Sequence, residues 1–136
     1  MMRPKAVLCG SYHREPAKLK RLFLELETTG CRVLAPVNLN FTELDSSIVK
    51  ANSETRLTTN ELESSFLQAI HEADFLLLHA PDGYVGTAGA YELGYAEALN
   101  VPRFSIERPA DEMLASRVRV AHSVFDILEQ LQLISF

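Results

Sequence analysis

The chain has 136 residues, 47% hydrophobic and 23% charged, which predicts one globular domain, residues 1–136, and leaves no room for a second. Its net charge of −5, with basic residues scattered apart from the run Lys18, Lys20 and Arg21, disfavours binding of a nucleic-acid polymer. No apolar run is long enough for a membrane span or a secretory signal, and Cys9 and Cys31 lack metal-ligand spacing, so we expect a reduced, cytoplasmic protein without a membrane partner.

The first part of the chain alternates apolar runs with stretches of helical period, as in a βα repeat. Residues 5–9 (KAVLC) predict a buried strand that ends in a turn at Gly10. Pro16 opens a helix that Gly30 ends, and residues 32–35 (RVLA) predict a second strand. Residues 37–59 are polar and have no sustained period. A connection of this length is typical of a lid or a binding loop.

The next elements continue the alternation. Asn60 and Glu63 have the spacing of a capping box and predict the start of a helix. Residues 75–79 (FLLLH) are almost continuously apolar, which predicts a strand in the middle of the sheet.

The last third of the chain contains two more predicted strands, residues 102–106 and 117–121. Pro109 predicts a short helix, and Ser123 with Asp126 predicts the cap of a final one. The sequence therefore predicts a three-layer α/β sandwich with four to five parallel strands. In such folds the ligand site lies outside the carboxyl ends of the strands.

Residues 81–99 (PDGYVGTAGAYELGYAEAL) are the most informative stretch, because a loop containing Gly83 and Gly86 runs into a helix that carries Glu92. Glycine permits close backbone approach, and the first N–H groups of a helix have no internal partner. Such a helix end attracts an anion or an oxygen-rich ligand. We expect it to favour the ionised form of Glu92, which suits a nucleophile better than a proton donor.

Three segments of the sequence carry a resemblance to a known family. They are CGSYHRE after the first strand, HEADFLLLHAPDGYVGT around the third, and AYELGYAEALNVPRF leading into the fourth. They resemble the nucleoside 2-deoxyribosyltransferase family and its relatives that hydrolyse deoxynucleoside monophosphates. The resemblance implies a flavodoxin-like α/β sandwich that assembles as a homodimer or a larger homo-oligomer.

The resemblance also implies a mechanism. In that family a glutamate before Leu-Gly-Tyr-Ala is the nucleophile that takes the deoxyribosyl group, which corresponds to Glu92. The glycosidic bond breaks through an oxocarbenium-like transition state, and water or a second base then attacks the covalent intermediate with overall retention. The leaving base needs a proton, for which Asp74 and Asp82 are the candidates. The transferases place an acidic residue shortly before the nucleophile, and the corresponding position here is Tyr84.

Two loops offer backbone and hydroxyl groups that are candidates for holding a 5′-hydroxyl or a 5′-phosphate. The expected partner is a small-molecule nucleoside or nucleotide. No metal, flavin or nicotinamide signature is present, so we expect no cofactor. The candidate substrate-binding residues are Gly10, Ser11, Tyr12, Gly83, Tyr84, Gly86 and Thr87.

Two functions other than catalysis stay open at this point. A nucleotide-binding or sensor module would keep the Gly-rich pocket without turnover. A scaffold protein would use Tyr91 and Tyr95, with the small residues Ala90, Gly94 and Ala98 on the same helix, to form an oligomer.

Overall fold

The computed structural model describes residues 3–37, 39, 41–42, 50–51 and 58–133. The strands in this part of the chain are, in chain order, β1 (Lys5–Gly10), β2 (Arg32–Ala35), β3 (Phe41–Thr42), β4 (Lys50–Ala51), β5 (Phe75–His79), β6 (Arg103–Ser105) and β7 (Arg119–Val120). Five of them form one parallel sheet in the order β2-β1-β5-β6-β7. With β3 and β4 set aside, this is the strand order of flavodoxin-like domains, which confirms the predicted fold class.

Helices cover both faces of this sheet. They are α1 (Pro16–Thr28), α2 (Thr59–Glu72), α3 (Thr87–Ala98), α4 (Glu112–Ala115) and α5 (Val124–Gln130). Successive residues of a strand point to opposite faces, so β1 supplies both cores. On one face, α1 and α5 pack against Ala6 and Leu8 through Leu19, Leu26, Val124 and Ile127. On the other face, α2 and α3 pack against Val7 and Cys9 through Ile70, Leu93 and Ala96.

The central position of β5 explains its composition. All five of its residues are buried, because helices cover both faces of the strand. A strand that is buried on both faces has a continuous apolar run instead of an alternating pattern. The prediction of a mid-sheet strand at residues 75–79 is confirmed. Within the described ranges, no helix is both long and apolar enough to cross a membrane.

The start of α2 differs from the prediction. Thr58 is the N-cap: its hydroxyl accepts a hydrogen bond from the Glu61 N–H at 3.1 Å, and the Glu61 carboxylate accepts one from the Thr58 N–H at 3.2 Å. The predicted capping box of Asn60 and Glu63 is therefore wrong by two residues. The same spacing of cap and glutamate occurs twice in succession, and sequence alone does not separate the two.

The segment that the sequence predicts to be irregular, residues 37–59, lies mostly outside the described residues. Its described part includes β3 and β4, which pair antiparallel with each other. The prediction of a connection without regular structure is therefore wrong for those four residues.

The last two helices begin at capping side chains. Ser123 accepts from the N–H of Asp126 at 3.0 Å, which confirms the predicted start of α5. The shorter helix α4 begins at Glu112 after the N-cap Asp111, and not at Pro109 as predicted. The carboxylate of Asp111 accepts a hydrogen bond from the Leu114 N–H at 3.0 Å, which fixes the start of α4.

Candidate functional site

The carboxyl ends of β1 and β5 meet at one edge of the sheet. Gly10 and His79 stand opposite each other in the strand register. Gly10 has a φ of 123°, and a Cβ at this position would lie 2.2 Å from the carbonyl oxygen of His79. Only glycine fits this backbone. The chain can therefore turn away from β1 directly over the edge where the sequence places the ligand site.

His79 fixes the loop that follows β1. Its side chain is buried, and Nε2 donates a hydrogen bond to the carbonyl oxygen of Arg14 at 2.9 Å. A further bond from the Arg14 N–H to the Ser11 carbonyl closes the turn. Burial lowers the pKa of His79, which favours the neutral ring. The contacts give this histidine a structural role.

The start of α3 comes close to the same loop. A Cβ on Gly89 would lie 3.4 Å from the Cα atom of Gly10, and a Cβ on Gly86 would lie 3.3 Å from the Oγ atom of Ser11. Ser11 is buried, and Gly86 is the N-cap of α3. The first N–H groups of the helix have no intrahelical partner and point out of this end. The structure thus brings Gly10, Ser11 and Gly86 together.

A 3-10 turn, Pro81–Gly83, leads from β5 towards α3. Gly83 has a φ of 86°, and its carbonyl oxygen accepts a hydrogen bond from the Ala110 N–H at 2.9 Å. A Cβ on Gly83 would lie 2.9 Å from that same nitrogen. Gly83 therefore holds the turn against the chain after β6, and these contacts give it a structural role.

A hollow of about 340 Å³ opens beside this turn, lined by Arg14, Glu15, Pro81, Asp82 and Tyr84. The guanidinium group of Arg14 stacks on the ring of Tyr84, with Cζ 3.6 Å from the ring centre. This is a cation–π geometry. The walls of this hollow offer one cation, two carboxylates and an aromatic ring, and its size is that of a small-molecule site.

Asp82 lies at the rim of that hollow. Its side chain is 80% exposed, and its Oδ1 atom is 3.6 Å from Nζ of Lys18. Lys18 also lies 3.4 Å from the carboxylate of Glu107. An exposed ion pair of this kind adds little stability. Because its side chain is exposed, Asp82 remains accessible to a bound group. Thr87, the first residue of α3, is exposed as well.

Two predicted site residues lie elsewhere. The hydroxyl of Tyr12 donates a hydrogen bond to the carbonyl oxygen of Leu8, and its ring packs against the core under α1 and α5. Tyr12 therefore attaches the loop after β1 to the core. Asp74 precedes β5, where its carboxylate accepts a hydrogen bond from the Lys5 N–H at 2.7 Å. At a strand rise of about 3.3 Å per residue, Asp74 is about 16 Å from His79. The structure does not bring Asp74 to the site, because it joins the amino ends of β1 and β5.

Glu92 lies on the buried face of α3, with only 5% of its surface exposed. Cys9 of β1 and Glu63 of α2 are close enough for their electrostatic interactions with it to matter. Burial, followed by a hydrogen bond and charge repulsion from Glu63, raises the pKa of Glu92 strongly. The expectation that the helix end favours the ionised form is therefore wrong. Loss of hydration outweighs the helix dipole, whose effect is confined to the first turn.

The sequence analysis assigned Glu63 to a capping box at the start of α2, whereas the structure brings it to Glu92. One of its carboxylate oxygens, Oε2, is buried and has no hydrogen-bond partner among the described residues. An ionised carboxylate can only accept hydrogen bonds, so a proton held by one acid is the donor that can join Glu63 and Glu92. A sequence signal did exist, since Glu63 is on the same face of α2 as the buried Ile70, seven residues later.

The position of Glu92 relative to the surface limits what can reach it. It lines neither the hollow beside Asp82 nor a second hollow at the opposite edge of the sheet. With 5% of its surface exposed, Glu92 is nearly covered by the described residues around it. In the part of the chain that the structure describes, no three His, Cys, Asp or Glu side chains are grouped so as to hold a metal ion.

The fold of this chain is similar to that of a protein with a solved structure, although its sequence matches no family model. No protein-family model and no curated protein matches the sequence. Among solved structures, the chain is similar to a CMP N-glycosidase of Clostridium botulinum, BcmB, with a TM-score of 0.55 and 17% sequence identity. The alignment covers 95% of this chain and 98% of that chain. At this identity the similarity shows a shared α/β fold.

Proposed function

We propose that this protein cleaves the N-glycosidic bond of a nucleoside or nucleoside monophosphate, with Glu92 as the nucleophile. The observation that carries the proposal is the interaction of the buried carboxyl group of Glu92 with the half-buried Glu63, next to the carboxyl end of β1. Burying a carboxyl group beside a second acid costs folding free energy, and such arrangements are concentrated at catalytic sites. The fold similarity to an N-glycosidase and the ELGYA motif at residues 92–96 support the same reaction class.

The proposed reaction has two steps. A carboxylate oxygen of Glu92 bonds to the anomeric carbon while the bond from that carbon to the base nitrogen breaks, and the base nitrogen takes a proton from Glu63. Water then attacks the anomeric carbon, Glu63 takes the proton of that water, and the ester bond to Glu92 breaks. Two displacements at one carbon give retention of configuration.

The carboxyl pair supplies the one proton that this scheme needs. Burial and the neighbouring Glu63 raise the pKa of Glu92, so the free protein favours the neutral form of Glu92. Transfer of that proton to Glu63 leaves Glu92 ionised as a nucleophile and Glu63 protonated as a general acid. Retaining glycosidases divide these roles between two carboxyl groups about 5–5.5 Å apart, so Glu63 and Glu92 have to separate to admit the substrate. Glu63 therefore takes the acid role that the sequence analysis gave to Asp74 or Asp82.

The loops at the edge of the sheet bind the rest of the substrate in this proposal. The Ser11 hydroxyl lies beside Gly86 at the start of α3, and we assign it and the first N–H groups of that helix to a sugar hydroxyl or a 5′-phosphate. The ring of Tyr84, with Arg14 stacked on it, forms a flat polar wall beside them. Asp82 at the rim can accept hydrogen bonds from the substrate. Water as acceptor makes the protein a hydrolase, and a second base makes it a transferase.

The test is incubation of the purified protein with ribo- and deoxyribonucleosides and their 5′-monophosphates, with the free base measured by chromatography. Base release that is abolished in Glu92→Gln but retained in Glu27→Gln supports the proposal, because Glu27 is exposed on α1. Intact-mass analysis of acid-quenched samples should detect the glycosyl ester on the wild type and not on Glu92→Gln. Base release that Glu92→Gln leaves unchanged would contradict the proposal.

One observation favours a second function, a non-catalytic nucleotide-binding or sensor module. Glu92 is nearly covered and carries a proton, whereas the hollow beside Asp82 and Tyr84 is open to a ligand. A nucleotide that raises the unfolding temperature equally in the wild type and in Glu92→Gln, without base release in either, would support this second function.

A further inference from the structure

The amino edge of the sheet, opposite the candidate active site, contains its own concave surface. It is a hollow of about 390 Å³ lined by Pro102, Arg103, Phe104, Ser116, Arg117, Val118, Arg119 and Leu131. The chain reaches this edge just before β6 and just before β7. Parallel strands place their amino ends on one side, so these residues are separated from Gly10 and His79 by the length of the sheet.

Three of the residues that line this hollow are arginines, in a chain whose net charge is −5. Arg103 is held by two backbone carbonyls: Nε donates to Arg117 at 2.9 Å and Nη1 to Val101 at 2.7 Å. Arg119 donates through Nη1 to the amide oxygen of Gln130 at 2.9 Å. These partners orient the two guanidinium groups without neutralising their charge.

The third arginine has one acidic neighbour. Nε of Arg117 lies 3.5 Å from a carboxylate oxygen of Glu97, and the Arg117 side chain is 55% exposed. Among the described residues, this is the one salt bridge that the three arginines make. Three positive charges and one negative charge around a concave surface leave an excess of positive charge at this hollow. Such a surface concentrates anions.

We propose that this hollow binds a small phosphate monoester. Arginine presents donors in a planar fork that matches the oxygens of phosphate, and it stays charged at every physiological pH. Arg103 is pre-oriented by its carbonyl partners, so little side-chain freedom is lost on binding. Pro102, Val118 and Leu131 add apolar wall for the organic part of the ligand. The volume falls in the range of small-molecule pockets.

The test uses phenyl phosphate as the probe, with inorganic phosphate and phenol as the two partial ligands, measured by calorimetric titration and by backbone NMR shifts of the full chain. Phenyl phosphate should bind more tightly than either, and shifts should centre on residues 102–104 and 116–119. The double variant Arg117→Gln, Arg119→Gln should weaken binding by about tenfold or more, since each removes a charge-assisted hydrogen bond to phosphate. Inorganic phosphate that binds as well as phenyl phosphate would reduce the site to a free-phosphate site and overturn the monoester proposal.

The control is Arg21→Gln, which removes an exposed arginine of α1 that lines neither hollow. It should leave binding of phenyl phosphate within twofold of wild type. Binding that the double variant leaves unchanged would overturn the proposal, as would the absence of saturable binding at millimolar probe. This test does not measure base release from nucleosides. A failure of the phosphate-monoester proposal is therefore distinguishable from a failure of the proposed glycosidase activity. If the double variant fails to fold, the single variant Arg119→Lys replaces it. Its binding of phenyl phosphate, measured from the NMR shifts at residues 116–119, should be weaker than that of wild type.

Discussion

Glu92 on α3 and Glu63 on α2 come from opposite sides of the α2–α3 contact and share a buried environment with Cys9. Glu92 keeps its proton at neutral pH in this place, because burial and the charge of Glu63 both disfavour a second negative charge. The fold therefore keeps a carboxyl group at a position where its ionised form is less stable than in water.

The first prediction concerns the pH dependence of stability. The folded state raises the pKa of Glu92, so the stability that its bound proton contributes is complete below the unfolded value of about 4.3 and is lost progressively as pH rises from there to the folded value of about 10. Glu92→Gln is neutral at all pH values and escapes that loss. We expect thermal unfolding to show the variant gaining on wild type by at least about 1.4 kcal/mol at pH 8, the value of one pKa unit, and by much less at pH 4.

The control for that experiment is Glu27→Gln, which changes an exposed carboxylate on α1. Its difference from wild type should stay near zero at both pH values. An equal loss of stability in Glu92→Gln at pH 4 and pH 8 would mean that the carboxyl acts through packing alone.

The second prediction concerns Glu63 in the proposed reaction. Glu63→Gln cannot give a proton to the leaving base, and loss of general acid catalysis lowers rates by about 10²–10⁴-fold. We expect this loss for ordinary nucleosides and a much smaller one for a glycoside whose leaving group is acidic enough to depart without a proton. Initial rates of base release for the two substrates give the comparison. An equal loss for both would assign Glu63 a positioning role.

The third prediction separates Asp74 from catalysis. Its carboxylate accepts a hydrogen bond from the Lys5 N–H at the amino edge of the sheet. Asp74→Ala should lower the free energy of unfolding by about 1 kcal/mol, the net value of one such bond. The rate of base release should remain within twofold of wild type. A loss of rate at unchanged stability would return Asp74 to the list of catalytic candidates.

Much of the fold could be predicted from the sequence because its signals are local. The continuous apolar run FLLLH identified β5, and the Ser123 cap identified the start of α5. The position of Glu92 on a helix after a Gly-rich loop was also readable, since glycine and helix period act over a few residues.

The electrostatics of the site could not be predicted in the same way. The ionisation of Glu92 depends on burial beneath α2 and on Glu63, a residue far away in the sequence. The helix dipole is the only influence on the pKa of Glu92 that the local sequence shows, and it lowers that pKa. Asp74 was misplaced for a related reason: it comes next to β5 in the chain, but at the amino end of a parallel strand and therefore at the wrong edge of the sheet.

The fourth prediction compares two glycines that both have positive φ. Gly10→Ala would place a Cβ 2.2 Å from the His79 carbonyl oxygen at a φ of 123°, whereas Gly30→Ala would meet nothing within 4 Å at a φ of 94°. The backbone cost of such a residue is about 1–3 kcal/mol in either case. Gly10→Ala carries the additional steric clash against a backbone atom of a central strand, which cannot move without disturbing the sheet. Denaturant unfolding should therefore show a larger loss for Gly10→Ala than for Gly30→Ala, and equal losses would mean that β1 and β5 separate at their carboxyl ends more easily than their register implies.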